Sequence, residues 1–234
     1  MALRGKGALA IWNGIAGGAD AEFIEWHVKE HMPERVALPG FISGRRYSAL
    51  DGAPAYFNFY EVTEPAALRS EAYVARLNDP SPWTRRVVAN FTETSRTLCH
   101  VAASGGRGVG VFAEVLRFSS IEPAVARAVA RSLAGAEGVC AVHLFLREDG
   151  PAQETSETRL RGAPDITWAA ILIVEAATPQ AAAKLRSGTV SDAALAQQGL
   201  GRPAARGLYR LDYLIHHEDA VAAASSATPI HEEA

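Results

Sequence analysis

Ten consecutive residues, Trp26-His27-Val28-Lys29-Glu30-His31-Met32-Pro33-Glu34-Arg35, gather more groups able to move protons than any other stretch of the chain. At 3.6 residues per turn Phe23, His27 and His31 share one helical stripe, and Trp26 and Glu30 share the adjoining one. Imidazole titrates near working pH, so His31, oriented by Glu30 or Glu34, is a candidate general acid or base with His27 as its neighbour. The bland use of the same residues is structural. One histidine meets the negative end of the helix dipole and the other packs beside Trp26. The string H-x-x-E-H also occurs in zinc peptidases, where a third ligand, a supporting shell and a cleft are needed. Downstream, Glu114 falls in a predicted strand and Glu122 at a helix start, and Pro33 is expected to end or kink the helix. Zinc therefore stays an alternative only.

Other side chains could complete such a site. Arg45 and Arg46 alternate in direction, so one of them can face a cavity and fix a carboxylate, phenolate or enolate, while the other forms a surface ion pair. Tyr47 and Tyr60 can donate to a carbonyl oxygen or pack across strands. Trp12 ends the first predicted strand, Trp26 lies on the helix, and Trp83 in SPWTRR anchors a loop or stacks on a ligand. His143 is the in-strand histidine of the second half. The expected catalytic set is His31, His27, Arg45 and Tyr47, and the expected substrate-binding set is Trp12, Trp26, Arg46, Tyr60, Trp83 and His143.

Composition limits the classes open to these residues. The 234 residues are 48% hydrophobic and 21% charged, with a net charge of −3 and no basic cluster. Neither nucleic acid nor lipid is expected as a partner. The opening MALRGKGALAIWNGI has too short an apolar run for a secretion signal, and no later run reaches a membrane span, which predicts a cytoplasmic protein. Cys99 and Cys140 lack C-x-x-C spacing and read as buried free thiols.

Internal repetition sets the scaffold. Strands are predicted over 8–15, 41–49, 56–62 and 92–102, with helices over 20–31 and 65–77, an order β-α-β-β-α-β. After a Ser104–Gly108 linker the order restarts. Strands are predicted over 109–118, 139–147, 166–175 and 207–216, and helices over 122–133 and 179–197. The expected fold class is α+β, with two tandem ferredoxin-like domains, 1–104 and 105–217, and a flexible tail over 218–234. His216 and His217 are expected to be exposed. Each sheet would have one bare apolar face, so the sheets are expected to pack on one another around a cavity lined by Arg45, Tyr47 and His143. The helix of the second half, 123–135, contains no histidine, carboxylate or aromatic residue, so the chemistry is done once per chain.

The run E22-F-I-E-W-H-V-K-E-H-M-P-E-R-V-A-L-P-G-F41, followed by G-R-R-Y at Gly44–Tyr47, resembles the EthD-like branch of the dimeric α+β barrel superfamily. The matching features are the pair at Trp26-His27, the segment Glu30–Glu34 and the Pro39-Gly40-Phe41 turn, although His27 stands where that family often has tyrosine. The resemblance extends over the first 100 residues or so and implies an intramolecular dimeric α+β barrel. It is similar in fold to cofactor-free monooxygenases, muconolactone-type isomerases and haem enzymes, so it fixes the fold better than the reaction. No Walker loop or dinucleotide fingerprint is present. No cofactor is predicted, with haem or zinc as alternatives. The leading expectation is histidine acid-base chemistry of isomerase, dehydratase or lyase type on a small aromatic, lactone or polyketide-like substrate. A cofactor-free monooxygenase or a non-catalytic binding protein follows, and sheet edges suggest a homodimer.

Overall fold

The computed structural model describes residues 2–150, 154–161 and 166–225. The chain begins with β1 (Gly7–Ile15), α1 (Asp20–Trp26), a π-helical turn (His27–His31) and α2 (Met32–Val36). Next come β2 (Phe41–Asp51), β3 (Tyr56–Val62), a 3₁₀ turn (Pro65–Arg69), α3 (Glu71–Asn78), α4 (Pro82–Val88) and β4 (Phe91–Gly106). The second half runs β5 (Phe112–Phe118), α5 (Pro123–Leu133), β6 (Val139–Arg147), α6 (Ser156–Arg161) and β7 (Ala170–Ala176). It ends with α7 (Pro179–Ser187), α8 (Asp192–Gln197), β8 (Ala205–His216) and α9 (His217–Ser225).

All eight strands close into one barrel in the order β1-β3-β2-β8-β5-β7-β6-β4. Within each half the order is the same, β4-β1-β3-β2 and β8-β5-β7-β6, and the halves meet along two antiparallel seams, β2–β8 and β4–β6. The expected sheet-to-sheet packing is thus completed by edge-to-edge closure, which turns both bare faces inward against each other. It also removes the expected reason for a homodimer, because closure leaves no sheet edge unpaired.

Strand alternation decides what fills the interior. Trp12, Tyr47, Phe57, Phe59, Phe145 and Tyr209 point inward with Ala8, Ala10, Cys99, Ala113, Val115, Ile171 and Ile173. Trp12 stacks on Phe57 at 4.4 Å and Phe145 meets Phe59 edge-on at 5.5 Å. The inward positions carry rings large enough to meet across the barrel, so the expected cavity between the sheets is a packed core. The apolar layers outside it are separate, one under the helices of each half.

Three local departures from the sequence expectations have physical causes. The Ser104–Gly108 stretch is no linker as far as Gly106, because Ser104, Gly105 and Gly106 pair with His143, Val142 and Ala141. A Cβ on Gly106, at φ +140°, would lie 2.4 Å from the Cys140 carbonyl oxygen, so glycine is what admits this close pairing. The SPWTRR segment is helix α4 and not a loop: Ser81 Oγ accepts from Thr84 N at 2.9 Å and proline occupies its first turn. Residues 217–225, counted from 218 as flexible tail, form α9. Its Ala220 is buried, and His217, expected to be exposed, has Nδ1 2.7 Å from the Val36 carbonyl oxygen. Residues 226–234 of that expected tail lie outside the described residues.

Candidate functional site

Pro33 does not end the helix that carries the two histidines. The π-helical turn at His27–His31 widens the backbone ahead of it, and the chain continues through α2 with proline in the first turn, where its missing N–H costs nothing. α2 then lies close on β2 because position 44 is glycine; a Cβ there would come within 2.7 Å of Met32 Cε. One stripe spaced by four residues results, Phe23, His27, His31 and Arg35.

The rings on that stripe are stacked. His27 lies 4.9 Å from Phe23 and 5.4 Å from His31, with the two imidazoles inclined by only 14°. Trp26 covers His31 at 4.2 Å. Neither imidazole Nδ1 makes a hydrogen bond. Glu30 does not orient His31 as expected: it accepts from Trp26 Nε1 at 3.2 Å, Ser81 Oγ at 2.5 Å and Thr84 Oγ1 at 3.1 Å, tying the helix to α4. Glu34 is held instead by Arg76 at 3.4 Å and Arg35 at 3.7 Å.

Burial first, then the nearby Arg46 and Arg35 cations, hold His27 well below the usual imidazole value. For His31 the causes are burial, then Arg35, His27 and Arg76. Both are therefore neutral at pH 7, which leaves His31 a competent base and removes the expected imidazolium-dipole contact. Unfolding exposes both rings and restores their ordinary value of ~6.5. The stability they hold above that pH is lost as pH falls below it toward their folded values. A His27→Phe variant, which keeps the ring stack, should show a shallower fall in urea midpoint between pH 6.5 and 5 than the parent; equal slopes would refute the assignment.

His31 lines a cavity of about 40 Å³ between the helices and the outer face of the first-half sheet. Trp26, Tyr60, Tyr73, Arg35 and Arg96 share its wall with Leu9, Ile11 and Phe41. The Tyr60 hydroxyl is buried without a partner, and burial pushes its ionisation far upward, so it remains a donor. Its far wall comes from the other half of the chain. Glu157 of α6 reaches across and accepts from Arg35 Nη2, while Ser156 N donates to Asn78 Oδ1 at 3.0 Å. At this size the cavity holds little more than one water, which occupies ~30 Å³ in the liquid, so a ring enters only as wall side chains yield.

The remaining expected site residues lie elsewhere. Arg45, Tyr47 and His143 point into the barrel, on the opposite face of the sheet from His31. There Glu175 accepts from Arg45 Nη1 at 2.8 Å, Tyr47 Oη at 3.2 Å and Gly110 N at 2.9 Å. His143 Nε2 lies 3.5 Å from Glu175, and its Nδ1 lies 2.9 Å from Ser104 Oγ. Burial opposes ionisation of Glu175, but His143, Arg45 and the Gly110 N–H outweigh it and keep the carboxyl below its ordinary value. Trp12 is sealed in the same interior under Arg117, at 4.9 Å. Arg46 faces the helices and donates to the Ile24 carbonyl at 3.3 Å, and Trp83 packs at the edge of the Phe23–Trp26 cluster. The structure thus brings together His31, Trp26 and Tyr60 and separates them from Arg45, Tyr47, His143 and Trp12. His27 stands behind His31 outside the cavity lining. Arg35 and Glu157 were missed by the sequence reading. For Arg35 the signal was present, since the four-residue stripe extends to it past Pro33.

Among the described residues no group of three or more histidine, cysteine, aspartate or glutamate side chains could hold a metal. Zinc does not fit His27 and His31 in particular, because their rings stack face to face instead of converging. No described helix is long and apolar enough to cross a membrane.

No protein-family model matches the chain, and no curated protein matches its sequence. Solved structures do. An anthrone oxidase-like protein aligns over 93% of this chain and 95% of its own, at TM-score 0.59 and 12% identity. A candidate monooxygenase of Fusobacterium nucleatum aligns over 92% and 96%, at TM-score 0.57 and 8% identity. Another, of Lactobacillus acidophilus, aligns over 91% and 97%, at 0.54 and 10%. Identities this low speak for architecture alone. The closed eight-stranded barrel of this chain shares the fold of these neighbours.

Proposed function

We propose that the chain is a cofactor-independent oxygenase of the EthD-like branch, built from two tandem ferredoxin-like units, with its working site in the first-half cavity. The carrying observation is His31, neutral and with Nδ1 free of hydrogen bonds, at a buried wall beside the unpartnered Tyr60 hydroxyl. A base and a donor on one small, mostly apolar cavity suit removal of a proton from a carbon acidified by an aryl ketone, with Tyr60 stabilising the oxygen of the resulting enolate or phenolate. Molecular oxygen, as co-substrate, adds to that carbon. The hydroperoxide then loses water to give a new carbonyl, so that a CH₂ group and O₂ become C=O and H₂O. Isomerisation or elimination would begin with the same proton transfer. The names of the structural neighbours favour oxygen as the trapping partner.

Anthrone is a suitable probe, because its methylene is acidified by the ketone across the ring. The chain should consume one O₂ per quinone formed and, without oxygen, should exchange the methylene protons for deuterium in D₂O above the background rate. Exchange without oxygen uptake would move the assignment to isomerase or lyase chemistry. Neither exchange nor uptake would leave a binding protein.

A further inference from the structure

Arg35 is the unexplained residue of the cavity. Its side chain is 3% exposed, yet its Nη1 makes no hydrogen bond and has only a long ion pair with Glu34, at 3.7 Å. A buried guanidinium with an unused donor is costly unless something occupies that donor. The Tyr60 hydroxyl lines the same small cavity and is also unpartnered. Two unused donors from different elements, one of them cationic, form half of an acceptor site. The other Arg35 donor, Nη2, is taken by Glu157, the one acidic side chain among the described residues lining the cavity. That carboxylate belongs to α6 of the other half of the chain. It pairs with Arg35 from the wall that α6 contributes.

We infer that the cavity selects a substrate bearing an oxyanion, a carboxylate or ionised phenol, that docks on Arg35 Nη1 and the Tyr60 hydroxyl, with Glu157 as the internal carboxylate competing for the same guanidinium. The inference rests on the cavity being the working site, and it adds the charge of the substrate to that reading. Bidentate guanidinium geometry suits it: one edge holds Glu157 while the other receives the ligand. Glu157 also limits the size of the ligand, since any ligand must fit beside it or displace it.

The test is calorimetric titration of the intact chain with benzoate and with benzamide, which share shape and differ in charge. Benzoate should bind about tenfold or more tightly, as a charge-assisted contact replaces a neutral one. Glu157→Gln should raise benzoate affinity by about tenfold while leaving benzamide unchanged, because the competing charge is gone. Arg35→Met should erase the preference. Equal affinities, binding of neither probe, no effect of E157Q on benzoate, or a preference that survives R35M would each overturn the inference. The wild-type and E157Q arms keep the test decisive even if R35M fails to fold. A chain that prefers benzoate but never consumes oxygen retains this inference and loses the oxygenase reading. Turnover with equal affinity for the two probes does the reverse.

Discussion

Replacing His31 by Ala should lower anthrone turnover by about 100-fold or more, the usual contribution of a positioned general base. The loss should fall on kcat, because Trp26, Tyr60 and Arg35 still form the wall. Two features make His31 suited to this role. Burial and the Arg35 cation keep it unprotonated below the pH at which a solvent-exposed histidine would charge, and Trp26 at 4.2 Å fixes its ring. The parent rate should therefore stay level as pH falls through ~6.5 and drop only at more acid values, whereas a solvent-exposed histidine base would lose half its activity there. Added imidazole should restore part of the rate of the Ala variant. A variant as fast as the parent would remove His31 from the mechanism.

Glu175→Ala should be the most destabilising single change, costing about 3–5 kcal/mol, as expected when a buried ion pair loses one partner. Glu175 is wholly buried, and its removal leaves Arg45, Tyr47 and the Gly110 N–H inside the barrel without their shared carboxylate acceptor. Urea unfolding measures the loss. Joint replacement, Arg45→Met with Glu175→Leu, should recover most of it, because apolar groups of similar volume avoid the cost of desolvation. A loss under about 1 kcal/mol for Glu175→Ala would show that the network contributes little. Neither variant should alter the His31 cavity, which lies on the other face of the sheet.

The scaffold was legible because its strands alternate. Tyr56–Val62 is a strand over the predicted span, and the inward direction of Arg45, Tyr47 and His143 follows from the register. What the alternation could not show by counting was the volume behind it. Phe57 and Phe59 are both inward and both large, and with Trp12 and Tyr209 they fill the space a ligand would need. The bulge between Phe41 and Ser43 further sends Phe41 to the helix side, against an unbroken register. The candidate site was half legible. His31, Trp26 and Tyr60 were found from residue chemistry, while Arg35 was hidden by the expectation that Pro33 stops the helix. Glu157 had no local signal at all, since it reaches the site from 122 residues away through tertiary packing.

The two seams also impose an order on synthesis. β2 is synthesised long before its partner β8, as Ser43 must wait for His216. Until then the nascent first half exposes unpaired backbone along β2 and an inner surface of Trp12, Tyr47, Phe57 and Phe59 with no opposing wall. Such a chain is a template for strand addition by its neighbours, and closure through contacts so distant in sequence is intrinsically slow. The cost of a barrel closed within one polypeptide is thus carried before closure, while the late seam is still open to strands of other chains.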